Sequence, residues 1–181
     1  MTPRRAPRHS VAARRPPRPE ARRVTLRRAG ADDALALSEL AIRSKGHWGY
    51  DDTFLESCRA ELTIDPTLVE KLRVVVVERE RTPIGFYSLL GEPPEAELGH
   101  LFVAPEWIGL GIGRQLWEHM RAAAAALGFG RVTIEADPGA APFYEAMGAR
   151  RFGTAPSGSI AGRELPLFSY DLSSPTLRAG S

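Results

Sequence analysis

The chain is poor in the features that would fix a function at first reading. It has a single cysteine, Cys58, in 181 residues. One thiol excludes an internal disulfide framework and points to a reducing compartment, the cytoplasm, with the fold standing on its core alone. No apolar run approaches the roughly 18–20 residues that span a bilayer. No apolar segment follows the N-terminal arginines, so neither a membrane span nor a secretory signal is expected. The four histidines, His9, His47, His100 and His119, are scattered. With the lone cysteine they show no metal-ligand spacing, and no metal is expected.

What is present is unevenly distributed. Residues 1–23 hold eight Arg against one Glu, with five Pro and almost nothing large and apolar. That composition predicts a disordered tail. The remaining residues carry 16 basic and 21 acidic groups, so the net charge of +2 hides an acidic domain behind a basic arm. An arginine arm could grip nucleic acid or an acidic surface, or simply be solvated. The acidic domain argues against nucleic acid as the main partner. With 43% apolar and 25% charged residues, the chain suits one globular domain. We place it at 24–172, followed by a flexible C-terminal stretch, 173–181.

Within that domain "VTLRR" (24–28) reads as a strand. "ADDALALSELAIRSK" reads as a helix opened by Asp32 and Asp33, with Leu37, Leu40, Ala41 and Ser44 on one face. Asp51 or Asp52 caps a second helix carrying Phe54, Cys58 and Leu62, which places the cysteine in the core. "RVVVVERE" (73–80), "IGFYSLL" (84–90) and "AELGHLFV" (96–103) read as an antiparallel meander. A helix of about 16 residues follows, with a buried stripe of Leu116, Met120, Ala123 and Leu127 and a C-cap at Gly128. "RVTIEA" (131–136) is a strand, "AAPFYEAMG" a short helix closed by Gly148, and "ARRFGTAP" with "ELPLFSYDL" a final hairpin. Strand 96–103, the long helix and strand 131–136 make a βαβ unit, so those two strands should be parallel. The expected fold is α/β: a mixed, mostly antiparallel central sheet with one parallel pair and helices on both faces.

Gly109, Gly111 and Gly113 open that long helix in "PEWIGLGIGRQLWEHM". Glycine at a helix start is costly unless the backbone must turn sharply or approach something closely, often a phosphate. A P-loop would need a lysine after the last glycine, and none follows Gly113. A dinucleotide fingerprint would need glycine where Leu116 stands, in the first strand–helix unit. Two readings survive: a plain turn, or a pyrophosphate laid over the amides of residues 109–114, where the helix dipole also favours it.

"HLFVAPEWIGLGIGRQLWEHM" resembles the acetyl-CoA-binding segment of the GNAT superfamily of N-acetyltransferases, Gln/Arg-x-x-Gly-x-Gly/Ala after a strand and an acidic turn. "ADPGAAPFYEAMGAR" resembles the second conserved segment of that family. The resemblance covers residues 24–172. The basic slot of the first motif falls on Ile108, and Leu110 is also apolar, so side-chain charge at the phosphates is missing. The resemblance implies acetyl-CoA as co-substrate, bound by Leu101, Phe102 and Val103 along the strand and by Ile108, Gly109, Leu110, Gly111, Ile112, Gly113 and Arg114 in the loop. It implies direct attack by an amine on the thioester, with no covalent enzyme intermediate and a backbone N–H at the oxyanion.

An alkylammonium, with a pKa near ~10, must lose a proton before its nitrogen attacks. By the same resemblance Glu97 is the catalytic base. His100 and a water relay remain alternatives, since a regular strand would point residues 97 and 100 to opposite faces unless a bulge intervenes. Tyr144 matches the family's tyrosine that protonates the departing thiolate. The acceptor site would be walled by His47, Trp48 and Tyr50, beside Asp51 and Asp52, and by Ser157 and Arg163 of the final hairpin. Helix capping and core packing account for several of these equally well. The implied function is acetyl transfer from acetyl-CoA to the amine of a small molecule. A catalytically silent acyl-CoA-binding regulatory module and a protein-lysine acetyltransferase are the alternatives, and a homodimer is compatible with either.

Overall fold

The computed structural model describes residues 24–172. Both tails, 1–23 and 173–181, lie outside the described residues. Seven strands form one sheet in the order β1-β2-β3-β4-β5-β7-β6. They are β1 (Thr25–Arg28), β2 (Val75–Arg79), β3 (Thr82–Glu92), β4 (Glu95–Val103), β5 (Arg131–Glu135), β6 (Arg150–Pro156) and β7 (Glu164–Asp171). All neighbours are antiparallel except β4 and β5, which run parallel.

The helices are α1 (Ala34–Gly46), α2 (Asp52–Leu62), α3 (Ile112–Ala126) and α4 (Ala141–Ala146). They split between the faces because each carries one apolar stripe. Helix α1 buries Leu37, Leu40, Ala41 and Ser44, and with Cys58 and Leu62 of α2 packs on Val76 and Phe86 of one sheet face. Asp51 accepts a hydrogen bond from the Phe54 amide at 2.8 Å, capping α2 as expected. The start of α1 differs from expectation. Residues 31–33 form a 3-10 turn, and Asp33 reaches back to the Gly30 amide (2.8 Å) and to Arg27 (2.8 Å).

On the other face α3 and α4 cover Tyr87, Leu89, Leu98, Val132 and Phe168. The buried row of α3 is Ile112, Leu116, Trp117, Met120 and Ala124. The expected stripe is therefore half corrected. The arc centres on Trp117 and Met120, so Ala123 falls at its margin, and Leu127 in the last turn is 45% exposed.

Two features of β4 position everything that follows. First, its pairing with β5 covers only Glu95–Glu97 against Arg131–Thr133, so from Leu98 onward β4 has no β5 partner and the parallel pair opens. Second, Ser88 pairs with His100 and Leu89 with Leu98, which leaves Gly99 as an extra residue in β4. A side chain at 99 would collide with Leu90 and come within 2.9 Å of Ser88 Oγ, so the bulge falls on glycine.

Candidate active site

The opening between β4 and β5 is the mouth of a cavity of about 520 Å³. Its wall includes β4 from Glu97 to Val103, the glycine loop, the start of α4 and the inner side of α1 and α2. Of the residues proposed from sequence, it gathers Glu97, His100, Leu101, Phe102, Val103, Ile108, Gly109, Gly111, Gly113, Arg114, Tyr144 and Trp48.

The glycines act for two different reasons. Gly109 and Gly111 have φ of +78° and +88°, a left-handed backbone that a side chain resists, although no atom would meet a Cβ at either. At Gly113 a Cβ would sit 3.3 Å from the Phe143 ring, so there the need is close packing of α3 on α4. The turn leaves the amides of Gly109, Gly111, Ile112, Gly113 and Arg114 without a backbone acceptor among the described residues. Unpartnered amides at the positive end of a 15-residue helix suit a pyrophosphate. The side chains flanking them do not all take part. Ile112 is buried in the core, so only its amide is available, and Leu110 points to solvent at 64% exposure. Ile108 packs against the core edge and lines the cavity.

The bulge decides the geometry of Glu97 and His100. Ala96 and Leu98 face the α3 side, so Glu97 faces α1 and α2. The extra residue at 99 resets the alternation, and His100 lies against Phe86 and Phe102 on that same face (ring centroids 5.8 and 6.0 Å). Both residues therefore reach one side of the sheet. Their surroundings differ. The Glu97 side chain is exposed and has no hydrogen-bond or ion-pair partner among the described residues. His100 Nδ1 lies 2.7 Å from Ser88 Oγ. Burial lowers the His100 pKa, against weaker opposition from the Glu61 backbone and carboxylate. Its ring is neutral at pH 7 and already hydrogen-bonded.

Tyr144 is buried among Trp117, Phe143 and Phe168, yet its hydroxyl has no protein partner among the described residues and the residue lines the cavity. Desolvation, and secondarily Asp137, raises its pKa, so the phenol keeps its proton.

The acceptor wall is only partly as expected. His47, Tyr50, Ser157 and Arg163 do not line the cavity. Tyr50 and Arg163 stand one layer behind it, joined through a residue that the sequence reading missed, Asp137. Tyr50 Oη donates to Asp137 at 2.9 Å, and Arg163 Nη2 pairs with it at 3.0 Å. Arg163 also donates to the Tyr50 hydroxyl and stacks over the Tyr50 and Phe54 rings. Lys45 Nζ lies 3.9 Å from Asp137 and 3.3 Å from Glu61, and all three residues line the cavity. Two cations thus meet two carboxylates, whereas Glu97 and Glu135 line the cavity without an ion-pair partner among the described residues. Ser157 and Ser159 belong to the hairpin turn, where Ser159 Oγ touches the buried Cys58 sulfur at 3.5 Å. His47 packs edge-on to Trp48, which is 44% exposed and presses on Gly139, where a Cβ would come within 2.9 Å of its ring. The signal for Asp137 was the "ADPG" turn, where the acid also caps the Gly139 amide at 3.0 Å and so reads as a turn residue.

A mixed sheet parted between its one parallel pair, with a glycine-loop helix at the gap, defines the GNAT fold. Residues 70–148 match the family model of the Acetyltransferase (GNAT) domain. Solved structures agree on the fold. The PaiA N-acetyltransferase of Thermoplasma acidophilum, in complex with coenzyme A, is 20% identical with a TM-score of 0.69, over 82% of this chain and 99% of that one. The ribosomal-protein-S18-alanine N-acetyltransferase of Escherichia coli is 16% identical with a TM-score of 0.63, over 88% and 100%. The yncA protein of Salmonella typhimurium, with acetyl-CoA, is 18% identical with a TM-score of 0.61, over 85% and 96%. No curated protein matches the chain in sequence.

Proposed function

We propose that this protein transfers an acetyl group from acetyl-CoA to the amine of a small molecule by direct attack. One observation carries the reading: a single cavity joins unpartnered helix-start amides, an opened parallel strand pair, a free carboxylate and an unpartnered phenol. The amides of Gly109, Gly111, Ile112, Gly113 and Arg114 hold the pyrophosphate, and the unpaired edge of β4 along Leu101–Val103 takes the pantetheine amides. A β4 N–H on that edge stabilises negative charge on the thioester oxygen.

The Glu97 and Glu135 carboxylates, neither of them ion-paired among the described residues, draw a cationic amine to the acceptor end. Glu97 accepts the ammonium proton, directly or through one water, as the nitrogen attacks the carbonyl carbon and the C–S bond breaks. Tyr144 donates to the departing sulfur. Its raised pKa makes it a hydrogen-bond donor that never loses its proton at working pH, and solvent completes the protonation. His100 is the weaker candidate for the base, because Ser88 already holds its ring. Asp137 forms part of the acceptor wall, and Arg163 and Tyr50 hold it from behind.

The test is CoA-thiol release from acetyl-CoA in the presence of alkylamines, aminoglycosides, amino acids and peptides. Turnover with a small amine supports the proposal. Turnover with a lysine peptide alone would move the acceptor to protein. Acetyl-CoA binding without thiol release from any acceptor would leave the silent acyl-CoA-binding module.

A further inference from the structure

A second cavity, about 330 Å³, lies over β1, β2 and β3 beneath the C-terminal half of α3, and it shares no lining residue with the first. Its floor is apolar: Leu26, Val75, Leu89 and the ring of Tyr87, with Ala123 and Leu127 from the helix. Its charged lining is three arginines, with one histidine beside them. Arg27, Arg28 and Arg73 contribute guanidinium groups and His119 an imidazole, and no carboxylate lines the cavity.

The arginines differ in commitment. Arg27 is held by Asp33 and Glu78 at 2.8 and 3.0 Å. Arg73 donates to the Gly91 carbonyl at 3.1 Å, pairs with Glu92 at 3.5 Å and lies over the Phe129 ring. The Arg28 side chain pairs with no carboxylate among the described residues, although its charge reaches the Tyr87 phenol. The Tyr87 hydroxyl, 2.9 Å from His119 Nδ1, supplies a polar point in the apolar floor.

We infer that this cavity binds a small organic carboxylate with an apolar body, such as an aryl- or branched-alkyl acid. Arg28 receives the carboxylate as a charge-assisted hydrogen bond. Leu26, Val75, Leu89 and Leu127 cover the body, and the volume, at the low end of the ~300–1,000 Å³ typical of small-ligand pockets, admits about one ring and a short chain. Arg28, the rim arginine with no carboxylate partner among the described residues, set over an apolar floor, fits an anionic occupant with an apolar body. The inference does not depend on the acetyl-transfer reading.

The probe is 4-fluorophenylacetate, followed by fluorine NMR on the full chain, with 4-fluorophenylacetamide as its neutral match and inorganic phosphate as competitor. The acid should bind with a Kd of about 1 mM or tighter, and the amide at least tenfold more weakly. Arg28→Gln should weaken the acid about five- to tenfold while leaving the amide unchanged. Ala123→Leu, which fills the cavity from a half-buried helix position, should abolish binding of the acid and leave the melting temperature within ~2 °C. Equal binding of acid and amide would overturn the carboxylate. Displacement by millimolar phosphate would replace it with an inorganic anion site. Full binding by both variants would place the probe elsewhere and sink the proposal.

Discussion

Replacing Tyr144 by phenylalanine separates hydrogen-bond donation from packing, because the hydroxyl has no protein partner among the described residues to lose. The ring keeps its neighbours Phe143, Trp117 and Phe168, at centroid distances of 5.2, 6.0 and 6.0 Å. Removing a buried hydroxyl without breaking a hydrogen bond should change stability by no more than about 0.5 kcal/mol. For a domain of this size that is a shift of at most ~2 °C in Tm. Catalysis should respond quite differently. A donor to the leaving sulfur is worth about 10²-fold, or ~2.7 kcal/mol of barrier. The expected result is a kcat lower by about two orders of magnitude, with unchanged acetyl-CoA affinity and unchanged Tm. Burial also holds the wild-type phenol above its ordinary range, so kcat should show no alkaline limb from Tyr144 below pH ~10. Single-turnover thiol release removes any masking by product release. A single-turnover rate within twofold of wild type would refute the assignment of Tyr144 as the donor.

Glu97→Gln should lose ~10²–10⁴-fold in kcat/KM at neutral pH, and the loss should shrink as pH approaches the amine's own pKa; if His100→Gln instead erases an acidic limb lying below the ordinary histidine range, the imidazole is the base. His100 also links stability to pH. Its folded-state pKa is lowered, so below pH ~6.5 the unfolded chain takes up a proton that the folded one resists, and stability falls as pH drops. Denaturant titrations at pH 7 and 5 should show a smaller difference for His100→Gln than for wild type, and an equal difference would contradict the buried neutral ring. Asp137→Asn removes the negative charge facing Arg163 and Lys45, whose side chains are only 15% and 12% exposed, and should cost about 1–3 kcal/mol with a raised KM for the amine but not for acetyl-CoA; a normal amine KM would free the wall of any role. Ile108→Arg should lower the acetyl-CoA KM several-fold at low salt, by ~0.5–1 kcal/mol, with the gain fading as salt is added. No change at low salt would mean that the loop does not face phosphates.

Most of the frame was legible because its signals are local. The β-branched run in β2, the Asp51 cap, the four-residue spacing of Phe54, Cys58 and Leu62, and the glycines ending α3 and α4 each depend on near neighbours in sequence. The stripe of α3 was harder, because periodicity fixes a direction on the helix but not how far the sheet extends beneath it. Leu127 has the right phase and still borders a cavity. The acceptor wall was least legible. Asp137 joins Tyr50 and Arg163 across 87 and 26 residues of chain, and a capped turn is a complete local explanation of an Asp-Pro-Gly. Arg163 and Tyr50 drew attention as candidate contacts to the acceptor, and their actual neighbours are one another.

Strand β4 shows why the site could not have been built from a regular sheet. Its first three residues pair with β5 and fix the parallel register, and from Leu98 onward the pairing ends. If pairing had continued, the backbone groups beside Leu101–Val103 would be consumed by the sheet and unavailable to a ligand. If the strand had kept strict alternation, Glu97 and His100 would face opposite sides. Gly99 removes that obstacle by adding one residue where any side chain would strike Ser88 and Leu90. The same Ser88 then engages His100, which ties the imidazole into the sheet, while Glu97 has no hydrogen-bond or ion-pair partner among the described residues. Gly99→Ala should therefore cost more activity than stability alone explains. The residue it disturbs is the one that decides on which face the carboxylate and the imidazole meet. A variant that folds with a wild-type Tm and keeps full kcat/KM would show that the bulge is incidental to the chemistry.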